Sequence, residues 1–290
     1  WGDFHSFKTQ EALEFECFRM LAMNAKCSIG DQLPPDGKIS KPVYDLIGSV
    51  YSEVEQKEPW CEEAEAVTQI GVLNPEEFTG ERVPKAAAGA VRMLEQGAHQ
   101  FDVIDTESEL TNYELLILPD NIKISDKFAN NLKKYLDQGG KLIASFESGL
   151  SLDDDKFNLE QLGINLKENQ TLAEDGKPAA GRDFNGNAYT EYILPEGKIG
   201  EDLPETELAM YKKGKEIEVN GNTTVLADVI SSYFNRTWEH FCSHRQTPSS
   251  GETDYPGIVQ NKNCIYFAHP IFTQYNKNAP KWCKTMLLNA

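Results

Sequence analysis

The chain has 290 residues, with 28 Lys and Arg against 46 Asp and Glu and a formal net charge of −18 at pH 7. That acidic excess argues against nucleic acid or an anionic membrane as a general partner, since either needs a basic face. A hydrophobic fraction of 40% and a charged fraction of 26% are those of a globular protein able to build a core, and the length suits about two domains.

Reading from the amino terminus, "TQEALEFECFRMLAMNAKCSIGDQLPPDG" predicts a helix, a strand and a loop. Thr9 is placed to cap the helix, and Leu13, Phe15, Cys17, Phe18, Leu21 and Met23 nearly encircle it, which predicts a well-buried element. "AKCSI" reads as a buried parallel strand ending at Gly30-Asp31-Gln32. Ser40 then caps a helix whose Val43, Leu46, Ile47, Val50 and Val54 form an amphipathic stripe, and "QKEPWCEEAEA" reads as a polar linker. Because the sequence opens at Trp1 without Met and stops inside helical text, it reads as a piece of a longer polypeptide.

From about residue 66 strands alternate with helices. "AVTQIGVL", "QFDVID", "YELLILPD" and "KLIASF" are strands; "ERVPKAAAGAVRMLEQG" is a helix with Val83, Ala87, Ala90, Val91 and Leu94 on one face. "SDKFANNLKKYLDQGG" is a helix capped by Ser125, with Phe128, Leu132, Tyr135 and Leu136 inward and two glycines as its stop. This alternation implies a parallel sheet covered on both faces. Between 167 and 230 the texture changes to short β-like runs, and "NCIYFAHPI" with a final helix restores the α/β pattern. The expected organisation is 1–65 and 66–290. No apolar run nears the roughly 18 residues of a membrane span, and six scattered cysteines without a CxxC pair read as free thiols. Asn169, Asn222 and Asn235 each open an N-x-T triplet, a weak signal for glycosylation.

Four places carry candidate chemistry. After "KLIASF" comes the turn Phe146-Glu147-Ser148-Gly149, where amidotransferase-like folds set a cysteine on a tight elbow; here Ser148 and His269 are what remains, with nothing to orient the imidazole. His240, Cys242 and His244 have the spacing to chelate zinc from one strand face but lack a fourth ligand. Tyr233, Asn235, Arg236, Trp238, His240, His244, Arg245 and Gln246 form the aromatic and bidentate palette that sugars require, against ordinary packing as the plainer reading. Trp1, Asp3, His5, Asp31 and Gln32 would lie at the carboxyl face of a (β/α)8 barrel if their turns are its last two strand ends, though a Gly-Asp turn is commonly only a turn.

At these residues the chain resembles known families. Residues 1–60, "WGDFHSFKTQ" to "EQKEPW", resemble the end of the barrel in bacterial glycoside hydrolases of the hypothetical, alpha-L-fucosidase-like type, and "YFNRTWEHFCSHRQTP" is similar to another segment of them. "YELLILPDNIKISDKFANNLKKYLDQGGKLIASFESG" resembles the beta-galactosidase trimerisation domain, the amidotransferase-like module that follows the barrel in family 42 beta-galactosidases. The resemblance implies an α/β chain: the C-terminal remnant of a (β/α)8 barrel, then a flavodoxin-like three-layer domain. It implies a parent enzyme that cleaves glycosidic bonds with a carboxylate pair, about 5–5.5 Å apart if retaining. Asp3 and Asp31 are the catalytic candidates, with the acid/base residue expected upstream of Trp1. Trp1, His5, Gln32 and the 233–246 residues named above are the sugar-binding candidates. The implied partners are a carbohydrate substrate and further copies of the chain, as in a trimer, with no nucleic acid, membrane, metal or cofactor. The rival readings are a non-catalytic binding or assembly module, and a hydrolase built on Ser148 or Cys242.

Overall fold

A computed structural model describes residues 4–173, 175–182, 190–234, 238–244 and 246–290. The chain divides into two compact units, Trp1–Val67 and Thr68–Ala290, each with its own core.

In the first unit Thr9 caps α1 (Gln10–Ala22), its Oγ1 accepting a hydrogen bond from Ala12 N at 3.3 Å. α2 (Lys41–Cys61) begins after Ser40, whose side chain makes no capping bond; a proline in the first turn supplies the preset φ that starts the helix. The helices pack through Leu13, Cys17, Val50 and Val54, with Phe18, Leu21, Leu46 and Tyr51 at the margin. Three expectations fail here. Only Leu13 and Cys17 of α1 are buried, and Phe15 is 65% exposed. Residues 25–29 form no strand, because a parallel strand exists only through bonds to neighbours and the described residues of this unit offer none. The expected linker instead continues α2 to Cys61, with Pro59 inside the last turn, where a missing N–H orphans a single carbonyl.

The second unit holds β1 (Ile70–Leu73), a short α3 (Glu76–Thr79), α4 (Lys85–Gln96), β2 (Phe101–Ile104), β3 (Leu115–Leu118), α5 (Asp126–Asp137) and β4 (Lys141–Ser145). Then come β5 (Ile164–Leu166), β6 (Glu191–Ile193), β7 (Leu208–Met210), β8 (Ile217–Val219), β9 (Thr224–Ser232), β10 (Ser249–Asn261), β11 (Cys264–Phe267), α6 (Ile271–Asn278) and α7 (Lys281–Asn289). Among the described residues, nine strands share one sheet in the order β2-β1-β3-β4-β11-β10-β9-β6-β7, while β5 and β8 pair apart from it.

From β2 to β11 the neighbours are parallel, and from β11 to β7 antiparallel. The parallel half has the flavodoxin-like order, in which crossovers leave the β1/β3 point in opposite directions and right-handedness puts α4 and α5 on opposite faces. Runs such as "LLIL" of β3 can be apolar throughout because both faces are covered. On α5 the expected face is the buried one, Phe128, Leu132, Tyr135 and Leu136, and Ser125 Oγ accepts from Phe128 N at 3.2 Å. On α4, Ala87, Ala90 and Leu94 are buried, whereas Val83 precedes the helix and is exposed.

α4 packs on α6 with a glycine at the crossing: a Cβ on Gly89 would overlap the carbonyl of Phe272. Alanine is the better helix former by about 1 kcal/mol, yet overpacking costs about 1–3 kcal/mol when the obstacle is soft and more when it is backbone. Gly89→Ala should therefore destabilise the chain by about 2 kcal/mol or more in urea unfolding, the reverse of its propensity. Val83→Ala, on an exposed side chain, should change stability by less than about 0.5 kcal/mol.

Candidate functional site

Three groups of residues present chemistry, one in the first unit and two in the second. In the first unit His5, Asp31 and Gln32, together with Lys8, Glu16, Pro34 and Ser40, line a concavity of about 470 Å³ floored by Leu13, Cys17 and Leu46. His5, Asp31 and Gln32 are exposed, and His5 has φ +64°. Glu16 is engaged by Lys8 at 2.7 Å, which leaves Asp31 as a carboxylate free of any ion pair among the described residues. Trp1 and Asp3 lie outside the described residues, so the structure brings together His5, Asp31 and Gln32 of that group.

The second group is the loop joining β9 to β10. Ser232 pairs with Ser249, and the start of β10 runs beyond the residues that face β11, so the loop projects past the carboxyl ends of the parallel strands. In doubly wound sheets that end carries the ligand. Trp238 is 89% exposed, Tyr233 and Phe241 are exposed as well, and the rings of Phe234 and His240 lie 5.8 Å apart. Asn235, Arg236 and Arg245 lie outside the described residues. Cys242 Sγ stands 3.4 Å from the carbonyl oxygens of both His244 and Gln246, so backbone, rather than a neighbouring imidazole, occupies the thiol. Among the described residues no three His, Cys, Asp or Glu side chains converge on a metal position. His244 is exposed on the same loop.

The third group lies under the carboxyl ends of β4 and β11. Phe146 follows β4 with φ +54°, the left-handed turn of a nucleophile elbow, and its ring is buried against Gly181. That conformation costs a bulky residue about 1–2 kcal/mol. Ser148, one candidate nucleophile, points elsewhere: its Oγ accepts a hydrogen bond from Ile122 N at 3.1 Å. His269 does have an orienting acid, contrary to the sequence reading. Its Nε2 lies 2.9 Å from Glu191 Oε2, and the two residues are only 1% and 4% exposed.

Glu191 also accepts from Lys213 Nζ at 2.6 Å, Gly214 N at 2.8 Å and Tyr255 Oη at 2.7 Å. Burial alone would raise its pKa; the bonds from His269, Lys213 and Gly214 outweigh that and hold it at about 2. Lys213, 5% exposed, stays charged because Glu191, with Glu216 at 3.1 Å, more than offsets its desolvation. Gly214 is required by close approach: a Cβ there would stand 2.7 Å from Tyr255 Oη and 3.2 Å from His269 Nε2. Beside this cluster Glu147 is pushed up by burial and pulled below its ordinary range by Lys215 and Lys123, at 3.3 and 3.2 Å. Sequence reading missed Glu191, Lys213, Lys215 and Glu216. The available signal was charge inside short apolar runs, such as the glutamate opening "EYI".

The model of the beta-galactosidase trimerisation domain matches residues 91–197. An alpha-L-fucosidase, isoenzyme 2 from Paenibacillus thiaminolyticus, superposes with a TM-score of 0.84 at 34% identity, over 99% of this chain and 42% of that one. The chain is glycoside hydrolase-like. A beta-galactosidase from Rahnella sp. R3 superposes at TM-score 0.68 and 14% identity, over 100% of this chain and 42% of that one, a likeness of fold. A beta-galactosidase of Bifidobacterium bifidum is 24% identical over 172 residues, 59% of this chain and 21% of that protein. The chain thus spans about two fifths of the solved relatives and a fifth of the curated one.

Glu191 supplies the pH dependence that can be checked. Its acidity is stronger folded than the ordinary 4.5 of the unfolded chain, so unfolding takes up a proton below that value. Its contribution is complete above about pH 4.5 and drains away as the pH falls towards 2. Glu191→Gln leaves Lys213 short of its counter-charge and should cost about 3–5 kcal/mol at pH 7. In urea titrations the gap between wild type and variant should be full at pH 7 and narrow at pH 3.

Proposed function

We propose that this chain is the C-terminal part of a glycoside hydrolase that cleaves O-glycosidic bonds. In this reading residues 1–65 close a (β/α)8 barrel, and residues 66–290 form a catalytically silent module that serves assembly and completes the sugar pocket. The observation that carries it is the likeness to the Paenibacillus alpha-L-fucosidase along 99% of the chain. A glycosidase needs two carboxylates across the scissile bond; Asp31, and Asp3 from the sequence, are the local candidates, with the acid/base group in the preceding barrel. His5, Gln32 and Trp1 would line the pocket beside them.

The loop joining β9 to β10, in which Tyr233, Trp238 and Phe241 are exposed, would supply the apolar platforms and bidentate donors that a sugar ring demands: Trp238 and Tyr233 as faces, Arg236, Arg245, Asn235, His240 and His244 as polar partners. The match to a trimerisation domain supports a homo-oligomer, three copies in the simplest case. Among the described residues no helix is long and apolar enough to cross a membrane. A second reading, a non-catalytic carbohydrate-binding or assembly module, is favoured by the same aromatic loop taken without the pocket.

The full-length parent, assayed on 4-nitrophenyl glycosides, distinguishes these. Asp31→Asn should lower kcat/KM at least a hundredfold while leaving assembly intact by analytical ultracentrifugation. Trp238→Ala should raise KM about tenfold, the loss of one stacking platform worth about 1–2 kcal/mol. Unchanged kinetics in both variants would leave the binding-module reading standing. Mixing the two variants tests completion between subunits: if one subunit's loop serves another's pocket, the mixture should exceed the average of its components.

A further inference from the structure

The first unit carries a pair of thiols that the glycosidase reading leaves without a role. Just past α1 stands a left-handed residue, Asn24 at φ +55°, and Ala25 N reaches back to Met20 O at 2.8 Å. That closure turns the chain back towards the helix it has just left. The return brings Cys27 beside Cys17, ten positions earlier: Cys27 Sγ donates to the Cys17 carbonyl oxygen at 3.3 Å. Cys17 belongs to the buried core of the unit, and Cys27 packs against that core. Tyr51 joins them: burial first, then the charges of Cys17 and Cys27, push its hydroxyl up. Both cysteines are reduced in this structure.

The two sulfurs differ in what can reach them. Cys17 is 1% exposed, and burial, followed by the charge of Cys27, pushes its thiol up, which makes it a poor first target for an oxidant. Cys27 is half-buried and open to a molecule the size of hydrogen peroxide. Oxidation therefore starts at Cys27: the peroxide gives its sulfur one oxygen and leaves as water. The Cys17 sulfur then attacks the Cys27 sulfenic acid, the S–S bond forms, and the hydroxyl departs with the Cys17 proton as a second water. Peroxide gains the two electrons that the thiols lose, and a dithiol returns them by exchange. Bonding asks for side-chain rotation at two positions already in contact.

The segment fastened in this way forms a wall of the cavity. Ser28, Ile29, Gly30, Asp31 and Gln32 follow Cys27 directly and line the concavity whose floor includes Cys17. Among the described residues the segment pairs with no strand, so no ladder of backbone bonds fixes its distance from α1. We propose that Cys17 and Cys27 are a reversible disulfide pair, oxidised by hydroperoxides, that locks residues 27–32 onto α1 and so controls the cavity beside Asp31. The control of activity rests on the glycosidase reading; the disulfide does not.

The test uses the full-length parent in its native state. It is exposed to hydrogen peroxide, quenched with catalase, blocked with N-ethylmaleimide and digested with trypsin, and the peptides are read by mass spectrometry. The expected product is TQEALEFECFR joined to CSIGDQLPPDGK, two hydrogens lighter than the separate peptides and absent after dithiothreitol. Cys61, a half-buried thiol of the same unit, should stay free and carry the maleimide. With the link, kcat/KM on 4-nitrophenyl glycosides should fall about fivefold or more, an ordinary coupling between sites, and dithiothreitol should restore it. Cys27→Ser, or Cys27→Ala if the serine variant unfolds, should keep its activity through the same treatment. A Cys27 that stays free, or that passes unlinked to the sulfinic acid, overturns the pair. A link that leaves kcat/KM unmoved overturns the control. A linked parent with no glycosidase activity before or after treatment overturns the glycosidase reading and leaves the disulfide standing.

Discussion

A carboxylate almost wholly withdrawn from water survives as an anion only if fixed donors replace its hydration shell. Glu191 has four such donors, and they come from different parts of the chain: His269 after β11, Tyr255 on β10, and Lys213 with Gly214 from the stretch after β7. The bonds reach across 22 to 78 positions of sequence. They fasten the antiparallel half of the sheet to the carboxyl end of the parallel half, where strands stop and backbone pairing can no longer do so. Asp120 does the same one strand over: Oδ1 accepts from Ser145 Oγ and Oδ2 from Thr273 N, both at 2.7 Å, so β3, β4 and the first turn of α6 meet on one side chain. Burial pushes the Asp120 carboxyl above its ordinary range, and the Ser145 and Thr273 bonds pull it only part of the way back.

The first unit is held differently. Among the described residues its core rests on four buried apolar side chains, fewer than a free-standing domain of that size needs. Meanwhile Phe7, Phe15, Leu33, Ile39 and Trp60 face outward. Hydrophobic area left in water contributes nothing to folding. Residues 25–29 have the composition of a strand but find no strand partner among the described residues.

How much was legible in the sequence differs along the chain for identifiable reasons. On α5, local rules and tertiary packing agree: a serine cap, a 3.6-residue apolar stripe and a glycine stop all mark the same helix. The parallel strands were legible because strands covered on both faces are apolar throughout. β10 was not, since Glu252, Asp254, Pro256 and Gly257 break any alternation; the strand forms through irregular pairing with β9, whose register shifts repeatedly between Ser249 and Val259. The candidate pocket residues His5, Asp31 and Gln32 could be named from their turns. The Glu191 cluster could not, because no spacing rule links a glutamate to partners brought beside it by the sheet order alone. The left-handed Phe146 was hidden too, as phenylalanine is a poor marker of positive φ.

The irregular pairing of β9 with β10 also bears on how this chain can change over generations. Regular pairing transmits an inserted or deleted residue along the whole strand and turns its side chains to the opposite face, whereas a bulge absorbs the extra residue where it occurs. Several such absorbers lie along the β9–β10 pairing between Ser249 and Val259, so the loop joining these strands can lengthen, shorten or exchange its aromatics without disturbing the alignment of Val259 and Gln260 beyond them. Selection can therefore remodel the tip while the scaffold beneath keeps its register.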